Sequence, residues 1–337
     1  MSSIRHSAGA DAGRSRACDA GLWAGVLLAY VGILWHGSMS GVGFHVRYDS
    51  ILTPLGIGAV FFALSRKPGP LVLPALMLLM ASLCGLVLSG LWASGVSDHS
   101  LLAGFFPLSD SFTYVDGSIH LLRDGRLPSV ASRRPLSPAI EALLLFLWRG
   151  NVRGVLATMV FFTALAMTFS AKEMIRTHGW TAGYLMFLSL FLFYRRFIGT
   201  ALTEHVGLTF GCLAFALRWR SVHAARKPLS LALAGIFVLT LALSARAAAF
   251  FVLPALAVWA GWTWRGTARY SLGAFLRVCV AVGAGLALNV LVLHFAGTPG
   301  SSSLGNFPYV LYGLVHGGNW EKAFEDHPEL RNLPELD

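Results

Sequence analysis

Apolar runs of 15 to 23 residues recur about nine times along this 337-residue chain. They cover Gly21–Met39, Ser50–Ser65, Leu71–Ala93, Val152–Ser170, Trp180–Tyr194, Leu202–Leu217, Leu229–Ser244, Ala247–Trp264 and Val278–Ala296. A bilayer core takes about 20 apolar helical residues, and runs down to ~17 still cross it. Backbone in lipid must satisfy its own hydrogen bonds, so this repetition admits helices and excludes open sheets or lipid-exposed loops. Composition agrees, with 55% hydrophobic and 12% charged residues against ~25% charged in an ordinary soluble domain. The expected fold class is an all-α polytopic membrane protein with about nine transmembrane helices. The second, fifth, sixth and seventh runs are short. Each is either completed by its flanks or re-entrant, which moves the count by one or two.

The net charge of +10 would point to nucleic acid in a soluble protein. Here loop arginines that set orientation and touch anionic lipid account for it, and no nucleic-acid partner is expected. Residues 1–20, with Arg5, Arg14 and Arg16, read as a cytoplasmic tail before a retained anchor. The inner loops then hold Arg66/Lys67, Lys172/Arg176, Arg218/Arg220/Arg226/Lys227 and Arg265/Arg269, all short and basic. The outer side receives 13 of the 16 acidic residues, including Asp110, Glu204 and those of the tail to Asp337. This places the chain in a plasma (inner) membrane, with residues 21–296 as the transmembrane domain. Residues 297–337 form an outer C-terminal segment, read as the start of a further region. The cysteines Cys18, Cys84, Cys212 and Cys279 lack metal-type spacing and indicate neither a disulfide framework nor a zinc site.

Orientation does not explain the arginines of the long outer loop, residues 94–151. Its stretch "LSDSFTYVDGSIHLLRDGRLPSVASRRPLSP" gathers Asp110, Asp116 and Asp124 with Arg123, Arg126, Arg133 and Arg134. Within it Asp110–Asp124 has helical periodicity: Phe112, Val115, Ile119 and Leu122 form an apolar face, and Thr113, Asp116, His120 and Asp124 a polar one. Such a helix lies flat on a bilayer with its greasy side down, and Gly125 ends it. Ser137-Pro138 is expected to begin a second helix in cap-then-proline order, and its run Ala139–Trp148 is too short to cross. Two interfacial helices joined by an Arg-rich turn are therefore expected over the outer mouth of the bundle.

A carboxylate at a water–lipid boundary can act as general base toward a hydroxyl, and arginines can hold a phosphate and stabilise charge on a leaving group. Asp110 is a candidate base, with an N-cap role as the structural alternative. Arg133 and Arg134 suit either a bound phosphate or lipid headgroups. Asp116, His120 and Asp124, spaced four apart, fit a solvated helix face better than a metal site, so no metal is expected. Glu204 and Arg246 sit at the edges of apolar runs, where ionisable groups are costly and often functional; pairing with each other is the alternative.

Several motifs carry a family resemblance. Asp110 just after an early span, Tyr114 four on, Leu121-Leu122 and Gly125 at a helix end, then Arg134-Pro135-Leu136-x-Pro138, resemble the first outer loop of the GT-C membrane glycosyltransferases. The chain is most similar to their protein O-mannosyltransferase and aminoarabinose-transferase-like branch. Thr203-Glu204 in "ALTEH", and Arg246 and Pro254 in "LSARAAAFFVLPAL", continue the likeness, which spans roughly residues 81 to 260. The resemblance implies a polyprenyl-phosphate sugar donor, a lipid, glycan or protein acceptor, and an active site on the outer, periplasmic side. It implies Asp110 as the catalytic carboxylate and Arg133, Arg134 and Arg246 as donor phosphate ligands. Tyr114, Glu204, Asp116 and His120 would shape the substrate pocket. No cofactor is implied; the extra acidic motif of metal-dependent branches is not evident. Two crossings before Leu71 are additional to the family's usual start, and relatives carry further spans beyond the position of Asp337, so the chain reads as a fragment or a short member. The alternatives are a transporter or flippase, which would place charged or broken helices at the midplane in repeated halves, and an O-antigen ligase or polymerase-like enzyme, whose large loop comes late in the chain.

Overall fold

The structure, a computed structural model, describes residues 21–37, 39–226, 228–246, 250–301 and 307–332. The tail with Arg5, Arg14, Arg16 and Cys18, the residue Lys227, the start of the eighth run at Ala247, and Asp337 lie outside the described residues. Among the described residues the regular elements are helices apart from one two-stranded hairpin.

The helices follow the apolar runs. α1 (Gly21–His36) bends by 108° into α2 (Ser40–Tyr48). Then come α3 (Leu52–Arg66) and α4 (Val72–Ser94). The loop contributes the hairpin β1 (Leu101–Leu102) and β2 (Phe106–Pro107), then α5 (Asp110–Asp124), α6 (Ser129–Ser132) and α7 (Leu136–Leu147). α8 (Val152–Tyr194), α9 (Glu204–His223), α10 (Leu229–Ala245), α11 (Val252–Thr263) and α12 (Leu272–Ala296) follow, then α13 (Phe307–Val315) and α14 (Lys322–Asp326). Among the described residues α4, α8 and α12 are long and apolar enough to cross a membrane, and α1 with α2 makes a fourth if the bent pair is one span. α3, α7, α10 and α11 are shorter apolar helices.

α8 is two helices. Its 43 residues would reach ~65 Å if straight, about twice the bilayer core. Gly179 breaks it with φ 84° and ψ −178°, a conformation open essentially to glycine alone. Beyond the break the chain turns back. A Cβ on Gly183 would overlap Ile175 Cγ1 and sit 3.3 Å from the Ala171 carbonyl oxygen, whereas on a straight helix Ile175 and Ala171 would stand ~12 and ~18 Å from Gly183. The fourth and fifth apolar runs are therefore the two arms of a helical hairpin.

The chain forms two compact units, one from the chain up to Val96 plus Val160–Gly199, the other from Ser97–Met159 plus the chain from Thr200 on. In the first, α2 packs on α4, and Phe61 of α3 meets Trp180, Tyr184 and Phe187 edge-on at 5.2–6.3 Å. Two buried arginines close the ends of α2 and α8 reciprocally. Arg47 donates from Nη1 to the carbonyls of Arg195 (3.0 Å) and Ile198 (2.9 Å) and from Nη2 to that of Arg196 (3.1 Å). Arg195 donates in return to the carbonyls of Val46 (3.0 Å) and Asp49. Arg195 thus satisfies a carbonyl that the last turn of α2 leaves without a partner, and Arg47 satisfies carbonyls of the turn just past the end of α8. The Asp49 carboxylate accepts from the amides of Thr53 and Ile51, and these bonds, Thr53 foremost, hold its pKa down to about 2.

The second unit has one core of Leu136 and Leu145 (α7), Val155 and Met159 (α8), Val206 (α9), and Leu241 and Ala245 (α10). Another joins Ile236 of α10 to Ala257, Ala260 and Val278 of α11 and α12. Three of the boundaries that differ from the sequence expectation have an identifiable cause. α9 runs on to His223 because polar residues continue a helix that hydropathy cannot follow; Arg218 lies over the Trp259 ring at 5.3 Å. α12 starts at Leu272 behind Ser271, whose side chain accepts from the Ala274 amide at 3.2 Å, so Arg277 lies inside the helix and not at its end. α7 begins at Leu136 with Pro135 at the cap, so Ser137 caps nothing and Pro138 occupies the first turn, where its missing N–H costs no helical bond. The Arg-rich turn before it contains the single helical turn α6.

Candidate active site

The candidate site lies within the second unit and is built on α5. Its buried face is small and polar: Ser111, Tyr114, Val115, Gly117 and Ser118. Ser111 Oγ accepts the Ala201 amide at 2.7 Å, which ties the start of α5 to the segment leading into α9. Ser118 Oγ donates to the Tyr114 carbonyl at 2.7 Å and lies 3.4 Å from Glu141 Oε2 of α7. Further on, the Leu127 amide donates to the Ala296 carbonyl (2.6 Å) and Thr298 Oγ1 to the Leu127 carbonyl (2.6 Å). The start of α9, the end of α12 and the loop thus meet at one end of this unit. The apolar side of α5 is uncovered, with Phe112, Ile119 and Leu122 exposed alongside Leu143, Phe146 and Leu147 of α7. That is the surface an interfacial helix pair turns to lipid.

Asp110 is the first helical residue of α5, and Ser109, at φ 55° and ψ −133°, holds the cap position. The amides of Phe112 (2.9 Å) and Thr113 (3.2 Å) bond the Ser109 carbonyl, so the N-cap role envisaged for Asp110 is overturned: the amides it would cap are already used. Among the described residues the Asp110 carboxylate makes no hydrogen bond or ion pair. It stands exposed at the positive end of a helix, where a carboxylate is favoured.

One turn on, Tyr114 is buried and its hydroxyl accepts from Arg134 Nη1 at 3.1 Å. Burial raises the Tyr114 pKa; Arg134 opposes this, while Asp110 and Glu204 reinforce it. Tyr114 therefore stands in the field of Asp110, Glu204 and Arg134 together. Glu204, at the start of α9, is paired with Arg246 at the end of α10. The Arg246 side chain remains 45% exposed, which leaves part of its five-donor fork open to a ligand. Two carboxylates and two guanidiniums, with a tyrosine between, form a cluster able to take a proton from a hydroxyl and bind an anion.

The other expected site residues are not drawn into that cluster. His120 Nδ1 pairs with Asp124 at 2.7 Å and its Nε2 faces Asp116 at 3.7 Å, all on an exposed face. Among the described residues no group of three or more His, Cys, Asp or Glu side chains is arranged to hold a metal ion. Arg133 caps α6, and its Nε is buried without a hydrogen-bond partner among the described residues. Within the tail, Tyr312 donates to Asp326 (3.2 Å), and Lys322 pairs with Asp326 (2.9 Å).

Sequence reasoning missed Ser111, Ser118 and Glu141. The signal was there: Ser111, Gly117 and Ser118 place small residues on the α5 face opposite Phe112, and Glu141 is the lone acid in an apolar run. Glu141 is only 2% exposed. Burial raises its pKa from 4.5 to about 8, with the Ser118 hydrogen bond pulling slightly the other way. Near neutrality burial therefore favours its protonated, uncharged form. Between pH 4.5 and 8 the folded chain therefore holds a proton that the unfolded chain releases, and stability falls as pH rises through that window. Glu141→Gln removes the ionisable group. In detergent the stability of the variant relative to the parent should rise with pH between 4.5 and 8, by about 1.4 kcal/mol per unit at most. A gap independent of pH would show that Glu141 is already ionised in the fold.

The chain matches no model of a known protein family, no characterised protein and no solved structure.

Proposed function

We propose that this protein is an integral-membrane glycosyltransferase of GT-C type, moving a sugar from a polyprenyl-phosphate donor to a hydroxyl acceptor. The observation that carries this is the unengaged Asp110 carboxylate beside the Tyr114–Arg134 and Glu204–Arg246 pairs. Asp110 takes the acceptor proton as the acceptor oxygen attacks the anomeric carbon. The bond from that carbon to the phosphate oxygen breaks, polyprenyl phosphate leaves, and the configuration inverts. Arg246 and Arg134 meet the phosphate as its charge develops, with Arg133 a third cation next to Arg134 in sequence. Tyr114 and Glu204 fix the positions of those guanidiniums. Asp116 and His120 are assigned the outer rim of the pocket, since they pair with each other on an exposed face.

We place about nine crossings, with α3, α10 and α11 completed by their flanks and α7 left at the interface, in a plasma membrane with the site outside. The uncovered apolar faces of α5 and α7 support that interfacial position. The test is direct. Purified protein in nanodiscs receives a panel of synthetic polyprenyl-phosphate sugars, and mass spectrometry follows release of polyprenyl phosphate with a glycosylated acceptor. In the host, deleting the gene should cause one lipid-linked sugar to accumulate and one envelope glycan to lose a residue. Unchanged glycans together with altered movement of a solute would favour a transporter instead.

A further inference from the structure

At the end of the first unit away from the Arg47–Arg195 clamp, a crevice of about 360 Å³ opens between α1, the start of α4 and α8. Its walls are apolar, from Trp23, Val26, Leu73 and Met77, and among the described residues its one charged lining residue is Lys172. The volume lies at the lower end of the ~300–1,000 Å³ typical of ligand sites, enough for part of one alkyl chain and too little for a whole two-chain lipid. Lys172 has no hydrogen bond or ion pair among the described residues. The acid next to it, Glu173, is already engaged by Arg176 Nε at 2.7 Å. An ammonium with no partner among the described residues, on the wall of an oily slot, suits an amphiphile whose anionic head meets the cation and whose chain fills the slot. Trp23, 42% exposed at the rim, suits the headgroup–chain boundary.

We propose that this crevice binds an anionic phospholipid, its headgroup phosphate on Lys172 Nζ and one acyl chain along Trp23, Val26, Leu73 and Met77. An anionic lipid fits better than a zwitterionic one, whose own ammonium would lie close to Lys172. The site is independent of the glycosyltransferase assignment.

Native mass spectrometry of the full chain, delipidated in neutral detergent, tests it with phosphatidylglycerol, phosphatidylcholine, a polyprenyl phosphate and inorganic phosphate as probes. Phosphatidylglycerol should be retained in preference to phosphatidylcholine, and Lys172→Gln should weaken it about tenfold, the scale of one lost charge contact. Leu73→Trp, which fills the slot, should weaken both phospholipids, with thermal stability as the control for folding. Equal retention of the two phospholipids, or a Lys172→Gln variant that binds as the parent does, overturns the proposal. Displacement of phosphatidylglycerol by inorganic phosphate overturns the acyl-chain contact, and preferential retention of polyprenyl phosphate assigns the slot to a different lipid.

Discussion

Replacing Arg47 by methionine is expected to destabilise the protein by about 3–5 kcal/mol, a large share of the ~5–15 kcal/mol that typically holds a fold together. Arg47 is 6% exposed, and its guanidinium satisfies the carbonyls of Arg195, Arg196 and Ile198. Methionine fills much of the same volume but donates nothing. Three carbonyls at a buried helix end then lose their donors, at about 1–3 kcal/mol each where water cannot replace them. Arg47→Lys should fall between parent and methionine, because one ammonium cannot span three carbonyls as a planar fork does. The measurement is thermal unfolding in detergent, read by tryptophan fluorescence and by retention of a monodisperse peak. A melting temperature in Arg47→Met within a degree or two of the parent would mean that the clamp contributes little. The reciprocal change, Arg195→Met, should be additive with it only in part, since both act on one joint.

The elements most legible in the sequence are those whose signal is local. α5 was bounded at Asp110 and Asp124 because its apolar period and Gly125, at φ 72°, act within a few residues. α4 was bounded to within a residue by its apolar run. Signals that depend on other parts of the chain were less legible. Ser137-Pro138 has the form of a helix start, yet the turn at Pro135 sets helical geometry two residues earlier. α9 and α12 outrun their apolar stretches because hydropathy reports the medium around a helix and not where its hydrogen bonds stop. The pairing of Glu204 with Arg246 was one of two readings, and only the approach of α9 and α10 decides between them. The free state of Asp110 was out of reach, since it follows from the backbone of Ser109 at φ 55°. The arginine clamp joins residues 148 apart, and no local pattern announces it.

Asp110→Asn is expected to lower sugar transfer by about 10²–10⁴-fold, the range a general base contributes, while leaving expression and thermal stability near those of the parent. The two halves of that expectation come from different observations. The chemical half follows from asparagine having nearly the shape of aspartate without its basicity: the acceptor hydroxyl keeps its proton and attacks the anomeric carbon poorly. The structural half follows from what Asp110 does not do. Ser109 supplies the carbonyl that receives the Phe112 and Thr113 amides, and the carboxylate is exposed, so its loss removes no hydrogen bond or ion pair described in the fold. Donor affinity should hold as well, because the cations proposed to meet the phosphate, Arg134 and Arg246, keep their partners Tyr114 and Glu204. A fall in turnover with unchanged donor affinity separates a base from a binding group. Asp110→Glu, with its carboxylate displaced by one methylene, should recover part of the rate. Full activity in Asp110→Asn would remove Asp110 from the chemistry, and a variant that fails to accumulate would mean that the carboxylate supports the fold after all.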